Sequence, residues 1–173
     1  RRSARADLFT LGGVPVSAAA QTRWAEQLSI TAVRPRLAPR GAVGGELPFS
    51  RQWVASDPQH GNAHASLGAA LARGGQEEAA VAALREAVRL EPRLAAAWYN
   101  LGVLLAQGRR AGEAIAALDA ALRADPRDPD VHYAHGVLHA GRGERALGER
   151  HLRSALALRP EGPEARAALE RLS

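Results

Sequence analysis

Apolar residues in the last two thirds of the chain recur with the spacing of one face of an α-helix. In the stretch WYNLGVLLAQ, bulky side chains stand at Trp98, Leu101 and Leu105, which are positions i, i+3 and i+7. A second stretch places Ala114 and Leu118 four residues apart, and a glycine-containing segment separates the two stretches. The pattern therefore predicts two amphipathic helices joined by a short turn.

The same pair of patterns occurs three times. The phrases VRLEP, LRADP and LALRP end at Pro92, Pro126 and Pro160, with 34 residues between successive prolines. The segments HASLGAALARGG, WYNLGVLLAQGR and HYAHGVLHAGRG also start 34 residues apart. A proline cannot continue a helix, so each one predicts the end of a second helix and the start of the next unit. One such pair cannot bury its apolar face alone, and stacked pairs can, which predicts a solenoid.

The repeat length and its pattern, W-x2-L-G-x2-L…A-x3-L-x2-A…P, resemble the tetratricopeptide repeat. The positions that carry the resemblance are Trp98, Leu101, Gly102, Leu105, Ala114, Leu118, Ala121 and Pro126. The resemblance implies an all-α fold, a right-handed α-solenoid of three helix-turn-helix repeats over residues 57–160. Residues 161–173 then predict a C-terminal cap helix that exposes charge on one side and covers the last apolar face with the other.

Residues 1–56 do not repeat and differ in charge from the rest. They hold eight Arg against three acidic residues, whereas residues 57–173 hold 15 of each, so the net charge of +5 belongs to this segment. Its Pro-, Gly- and Arg-rich part predicts a largely irregular N-terminal arm with short helices. We expect Arg34, Arg36 and Arg40 to dock on an acidic or extended protein surface; the alternative is contact with phosphates of nucleic acid or of an anionic membrane surface.

Composition narrows the chemistry further. The chain has no Cys, which excludes disulfides, thiolate ligands and a cysteine nucleophile. It has no nucleophile motif, phosphate loop or dinucleotide loop, so we expect neither an enzyme nor a cofactor. No apolar run reaches the roughly 18 to 20 residues that span a bilayer, so a soluble chain is expected. Residues 1–21 partly resemble a signal peptide, but Asp7 interrupts the pattern; the compartment is left open, with export to the periplasm as one alternative.

The family resemblance implies a protein-interaction scaffold whose first helices line a concave groove. Some members grip a C-terminal carboxylate with Lys, Asn and Arg, but here only Asn100 matches, and Asp130 stands at one of the other places, so we expect no such clamp. The expected partners are one or more proteins, a peptide or a subunit, within a hetero-complex. The residues expected to face the groove are Asn62, Tyr99, Asn100, Val103, Asp130, Tyr133 and Val137.

The third repeat has histidines where the second has Trp and Leu. His132 and His139 are about 10 Å apart along a helix, too far to share one ion. His135 and His139 are at i, i+4, and His151 is a candidate third ligand from the facing helix. The sequence favours packing histidines and leaves a metal site as the alternative. If the buried imidazoles titrate, stability should fall below about pH 6, which thermal unfolding between about pH 5 and pH 8 measures.

Overall fold

The computed structural model describes residues 10–11, 14–15 and 46–172. Strands β1 (Thr10–Leu11) and β2 (Val14–Pro15) pair antiparallel, with Leu11 opposite Val14. All other regular structure in the described ranges is helical. The helices are α1 (Glu46–Ser56), α2 (Gly61–Arg73), α3 (Glu77–Leu90), α4 (Ala95–Gln107), α5 (Ala111–Ala124), α6 (Pro129–Gly141), α7 (Arg145–Leu158) and α8 (Pro163–Glu170).

Helices α2 to α7 form three antiparallel pairs, which we call the first (α2–α3), second (α4–α5) and third (α6–α7) pair. Each pair also packs on the next, through α3 with α4 and α5 with α6, while the first helices α2, α4 and α6 touch in a row. Helix α8 packs on α7, and α1 packs on α2. Because α1 ends 34 residues before α3 ends, it lies in the register of a second helix. This arrangement confirms the predicted all-α solenoid.

Inside each pair the two helices approach closely at a glycine. A Cβ added at Gly102 would lie 2.8 Å from Cγ of Leu118, closer than carbon atoms can pack, and the other pairs repeat this geometry. Any larger side chain there would push the helices apart. The repeated glycine–leucine contacts are Gly68 with Leu84, Gly102 with Leu118, and Gly136 with Leu152.

The turn inside each pair needs one residue in the left-handed backbone region. These residues are Gly75 (φ 72°), Arg109 (φ 58°) and Gly143 (φ 81°), again 34 apart. The sequence points to Gly108 for the turn of the second pair, but Gly108 has an ordinary φ of −72°. The repeat register decides which residue takes the left-handed position, so a bulky side chain occupies it in the second pair.

The apolar core divides within the third pair. One cluster of buried apolar side chains runs from α2 to α6, and a second one joins Val137 and Ala140 of α6 to α7 and α8. The division falls where His135 and His139 take buried positions, 2% and 8% exposed. None of the described helices is both long and apolar enough to cross a lipid bilayer.

Candidate functional site

The residues that the sequence assigns to the groove lie on the first helices, and most of them are buried. Tyr99, Asn100, Val103 and Val137 are between 3% and 8% exposed, whereas Asn62, Asp130 and Tyr133 are half-buried. Burial raises the pKa of the Tyr133 hydroxyl, so the phenol stays neutral. The first-helix face, as we call these seven positions, therefore offers little polar surface. Arg34, Arg36 and Arg40 lie outside the described residues.

Two residues of this face, one in the first pair and one in the third, form polar contacts with the second helix side of their own pair. Asn62 Nδ2 donates to Glu91 Oε2 at 3.1 Å, and Arg159 donates to Asp130 Oδ1 at 2.6 Å. Each contact ties the start of a first helix to the residue that follows the second helix of the same pair. The two contacts occupy equivalent positions, but the carboxylate follows the second helix in the first pair (Glu91) and lies on the first helix in the third pair (Asp130).

Asn100 is the polar residue at the middle of the first-helix face. Its side chain is 5% exposed, and its Nδ2 has no hydrogen-bond partner among the described residues. A buried amide nitrogen without an acceptor costs about 1 to 3 kcal/mol. The equivalent positions in the other pairs hold Ser66 and Ala134, so this amide belongs to the second pair alone.

The position that holds Trp98 in the second pair makes the same contact in every pair. Trp98 Nε1 donates to the carbonyl oxygen of Pro92 at 2.9 Å, and the ring nitrogens of the histidines at the equivalent positions lie 2.9 and 3.0 Å from the equivalent proline oxygens. Histidine therefore replaces Trp without losing the bond that holds each first helix to the preceding turn. The four contacts are those of His64 with Pro58, Trp98 with Pro92, His132 with Pro126 and, from the cap helix α8, Arg166 with Pro160.

Three further histidines of the third pair meet in one place, which we call the histidine cluster (His135, His139 and His151). The ring centroids of His135 lie 4.7 Å from His139 and 4.3 Å from His151. Each residue offers one ring nitrogen, and these three nitrogens all lie within 4.8 Å of one another. The structure thus brings together the three residues that the sequence names as candidate ligands.

Hydrogen bonds occupy one nitrogen of each imidazole in the cluster. His135 Nε2 donates to Asp119 Oδ1 at 2.9 Å, and His139 Nδ1 donates to Glu144 Oε2. Since Nε2 of His132 donates to Pro126, its Nδ1 is an acceptor, and His151 Nδ1 donates to it at 3.3 Å. Each ring of the cluster therefore keeps one nitrogen with a free lone pair.

The surroundings of His135 and His151 favour the neutral form of these two rings. Burial lowers the pKa of His135, against the attraction of Asp119, and burial together with the neighbouring imidazoles lowers the pKa of His151 to about 4. Hydrogen bonds from His139 and Arg142 lower the pKa of the Glu144 carboxyl. Because the folded chain resists protonation at His135 and His151, its stability should fall as pH drops below about 6.5, the direction expected from the sequence. That acid sensitivity stays a prediction.

The sequence signal for this cluster is visible once the repeats are aligned. The first and second pairs have Leu, Leu and Ala at the three positions, so the histidines interrupt an otherwise apolar set. What the alignment could not show is that Asp119 of the second pair and Glu144 of the turn reach the rings. The equivalent triplets are Leu67, Leu71 and Ala83; Leu101, Leu105 and Ala117; and His135, His139 and His151.

Comparisons with known proteins agree with the helix pairs. Residues 67–129 match the family model of the tetratricopeptide repeat. No curated protein sequence matches this chain at a significant level. Solved structures share its fold at low identity. One is "MamA 41-end from Desulfovibrio magneticus RS-1", with a TM-score of 0.70 at 23% identity, covering 86% of this chain and 83% of that one.

Two further structures of this fold are complexes. In the "Crystal structure of APC/C hetero-tetramer Cut9-Hcn1" the TM-score is 0.68 at 23% identity, and the match covers 72% of this chain but only 26% of that one. The human RPAP3 second domain "in complex with HSP70 peptide SGPTIEEVD" has a TM-score of 0.61 at 16% identity, covering 63% of this chain and 91% of that one. The described helical part of this chain therefore has the fold of the tetratricopeptide-repeat solenoids that it resembles, and residues 67–129 also match the sequence model of that repeat.

Proposed function

We propose that this chain is a non-catalytic scaffold or assembly subunit that binds an extended segment of a partner protein along the first-helix face. Proteins built from this repeat are generally non-catalytic scaffolds. Similar solved structures include one in complex with a peptide and one in a hetero-tetramer. In this chain, the buried amide of Asn100 also supports the proposal.

The unpartnered Nδ2 of Asn100 carries the proposal. A buried donor without an acceptor destabilises the chain, and an extended peptide presents a row of backbone carbonyl oxygens. A rotation of the side chain toward the groove would give the amide such an acceptor. The phenol ring of Tyr133, which is neutral and only half-buried, would pack on the apolar part of the peptide.

Substitution of Asn100 separates this function from a structural role. We expect Asn100→Ala to weaken partner binding about 3- to 10-fold, the value of one hydrogen bond, while the free chain becomes more stable because a buried unsatisfied group is gone. The third pair tolerates alanine at the equivalent Ala134, which makes the variant a conservative one. If Asn100→Ala binds the partner with unchanged affinity, Asn100 does not contact the partner, and the proposal is contradicted.

The absence of cysteine from the chain permits a direct search for the partner. A single cysteine at Ala96, a half-buried position of α4 that we expect to face the groove, can carry a photoactivatable cross-linker, and Ala116→Cys at an exposed position of α5 is the matched control. We expect Ala96→Cys to give a specific cross-linked partner in extract of the source cells, identified by mass spectrometry, and Ala116→Cys to give none. Equal cross-linking from both positions would contradict binding along the first-helix face.

The basic N-terminal arm is proposed as a second contact with the same partner. Its deletion should stop at residue 45, because α1 begins at Glu46 and its Ser50 hydroxyl contacts Ser66 of α2 within the solenoid, at 3.0 Å. If Arg34, Arg36 and Arg40 contribute, deletion of residues 1–45 should weaken the partner complex. Salt-sensitive binding of the intact chain to nucleic acid or to anionic vesicles, lost in the deletion variant, would instead indicate contact with phosphates, as in the nucleic-acid or membrane-surface alternative.

A further inference from the structure

We propose that the histidine cluster of the third pair is a metal site, in which His135, His139 and His151 hold one divalent ion of the zinc type. Imidazole nitrogen is a preferred ligand of Zn²⁺, and three protein ligands with a fourth position open to solvent are a common arrangement for this ion. The proposal goes beyond the scaffold function and does not depend on it.

The three proposed ligands converge on one place between α6 and α7. Two ligands lie on α6 and one on α7, and each replaces a residue that is apolar in both other pairs. Three nitrogens within 4.8 Å of one another are close to the geometry of a tetrahedral ion, whose ligands stand about 3.4 Å apart when each metal–nitrogen distance is near 2.0 to 2.1 Å. Small rotations of the rings would close the remaining gap, roughly 1.4 Å.

The Nδ1 atom of His135 is an unsatisfied buried nitrogen. His135 is 98% buried, since 2% of its surface is exposed, and its Nδ1 has no hydrogen-bond partner among the described residues. A lone pair left bare in the interior is costly, and here it lies among two other imidazoles that also carry free lone pairs. A cation satisfies all three at once, whereas mutual packing of the rings satisfies none.

Each ring of the cluster donates its other N–H to a hydrogen-bond acceptor. Histidines that bind metals almost always donate their other N–H to a carboxylate, a carbonyl or water, which fixes the tautomer and raises the basicity of the ligand. Asp119 and Glu144 accept such bonds from His135 and His139, and His132 accepts the one from His151. Two of the three proposed ligands therefore already have a carboxylate partner of the kind that orients a metal-bound imidazole, and a neighbouring imidazole holds the third.

The helix packing of the third pair favours the same conclusion. Gly148 stands where the other pairs have Ala80 and Ala114, and a Cβ there would lie 2.9 Å from the carbonyl oxygen of Gly136. Only glycine allows α7 this close to α6, three residues before His151. The approach brings the ligand of α7 against the two of α6, so that a bound ion would join the two helices.

The test is a titration of the full-length chain, free of any histidine tag and stripped with a chelator, with Zn²⁺ alone by calorimetry and with Co²⁺ alone by visible absorption. We expect one ion per chain, a tetrahedral Co²⁺ spectrum, and a higher unfolding temperature with Zn²⁺. Absence of saturable one-to-one binding would overturn the proposal.

Variants distinguish metal binding at the histidine cluster from metal binding to histidines elsewhere on the surface. His151→Ala should abolish the Co²⁺ spectrum and the thermal shift, and it should fold, because alanine is the residue of both other pairs at this position. Asp119→Asn, an exposed position, should weaken Zn²⁺ binding roughly 10- to 100-fold. His64→Ala removes a histidine from the first pair and should leave the affinity unchanged. Unchanged binding in His151→Ala, or an equal loss in His64→Ala, would contradict the site.

Discussion

The second and third helix pairs share the same contacts near the backbone and differ in the side chains between the two helices. Both have a glycine that lets a leucine of the facing helix approach, and both have a ring nitrogen at the carbonyl of the preceding proline. The second pair then lines its interior with Leu101, Leu105 and Ala117, and the third with three histidines. A few contacts close to the backbone therefore hold each repeat together, and the remaining interior positions are free to change chemistry.

The leucines of the shared contacts should have the largest effect. Leu118→Ala and Leu152→Ala each open a cavity between two helices, at positions 1% and 0% exposed, and should lower the free energy of unfolding by about 2 to 5 kcal/mol. Chemical denaturation measures both. Leu147→Ala, at a position 38% exposed, is the control and should cost far less. A much smaller loss for Leu152 than for Leu118 would show that the third pair does not share the framework.

The glycines opposite these leucines come next. Gly102→Ala places a methyl group 2.8 Å from Leu118 Cγ and should destabilise the chain by about 1 to 3 kcal/mol, in spite of the higher helix propensity of alanine. Gly112→Ala in α5 has no atom within 4 Å of the new carbon, so it should be neutral or stabilising by up to about 1 kcal/mol. Equal behaviour of the two variants in thermal unfolding would contradict the close approach.

Exchanging an interior residue between the pairs should have a smaller effect, and its sign is informative. In the presence of a chelator, His135→Leu gives the third pair the leucine of the second and removes a buried nitrogen that has no partner. We expect a gain of about 1 kcal/mol in the free energy of unfolding, because an apolar group of similar size replaces an unsatisfied polar one.

The control for this exchange is His64→Leu, which deletes the ring that contacts the Pro58 carbonyl and should bring no gain. Urea unfolding of both variants and the parent chain gives the comparison. Destabilisation of the metal-free chain by His135→Leu would mean that the hydrogen bond to Asp119 outweighs the unsatisfied nitrogen.

The turns differ by one residue and should show the smallest effect. Arg109 has a φ of 58°, where its counterparts in the other pairs are glycines. Arg109→Gly should stabilise the chain by about 0.5 to 1 kcal/mol, since glycine adopts this backbone region without a steric penalty. Gly143→Ala should cost a similar amount in the other direction. If thermal unfolding finds Arg109→Gly destabilising, the side chain of Arg109 contributes more than the strain of its backbone.

The candidate sites were predictable in part. Aligned repeats show that His135, His139 and His151 replace apolar residues, and the i, i+4 spacing with a third histidine on the facing helix names the three side chains that the structure brings together. They do not show the carboxylates that orient the rings, since Asp119 belongs to another pair. Nor do they show how far Tyr99 and Val103 are buried, because that depends on how closely successive first helices approach.

The helices, their pairing and their stacking can be predicted from the sequence, because they follow from short-range periodicity and from a 34-residue register that each unit repeats. Which side chains meet across that register depends on how the helices pack. His132 turns to the Pro126 carbonyl while the other three histidines face one another, and the left-handed turn residue is Arg109 and not the glycine beside it. Such choices depend on the rotation and separation of packed helices, which glycine and leucine contacts set over many residues at once.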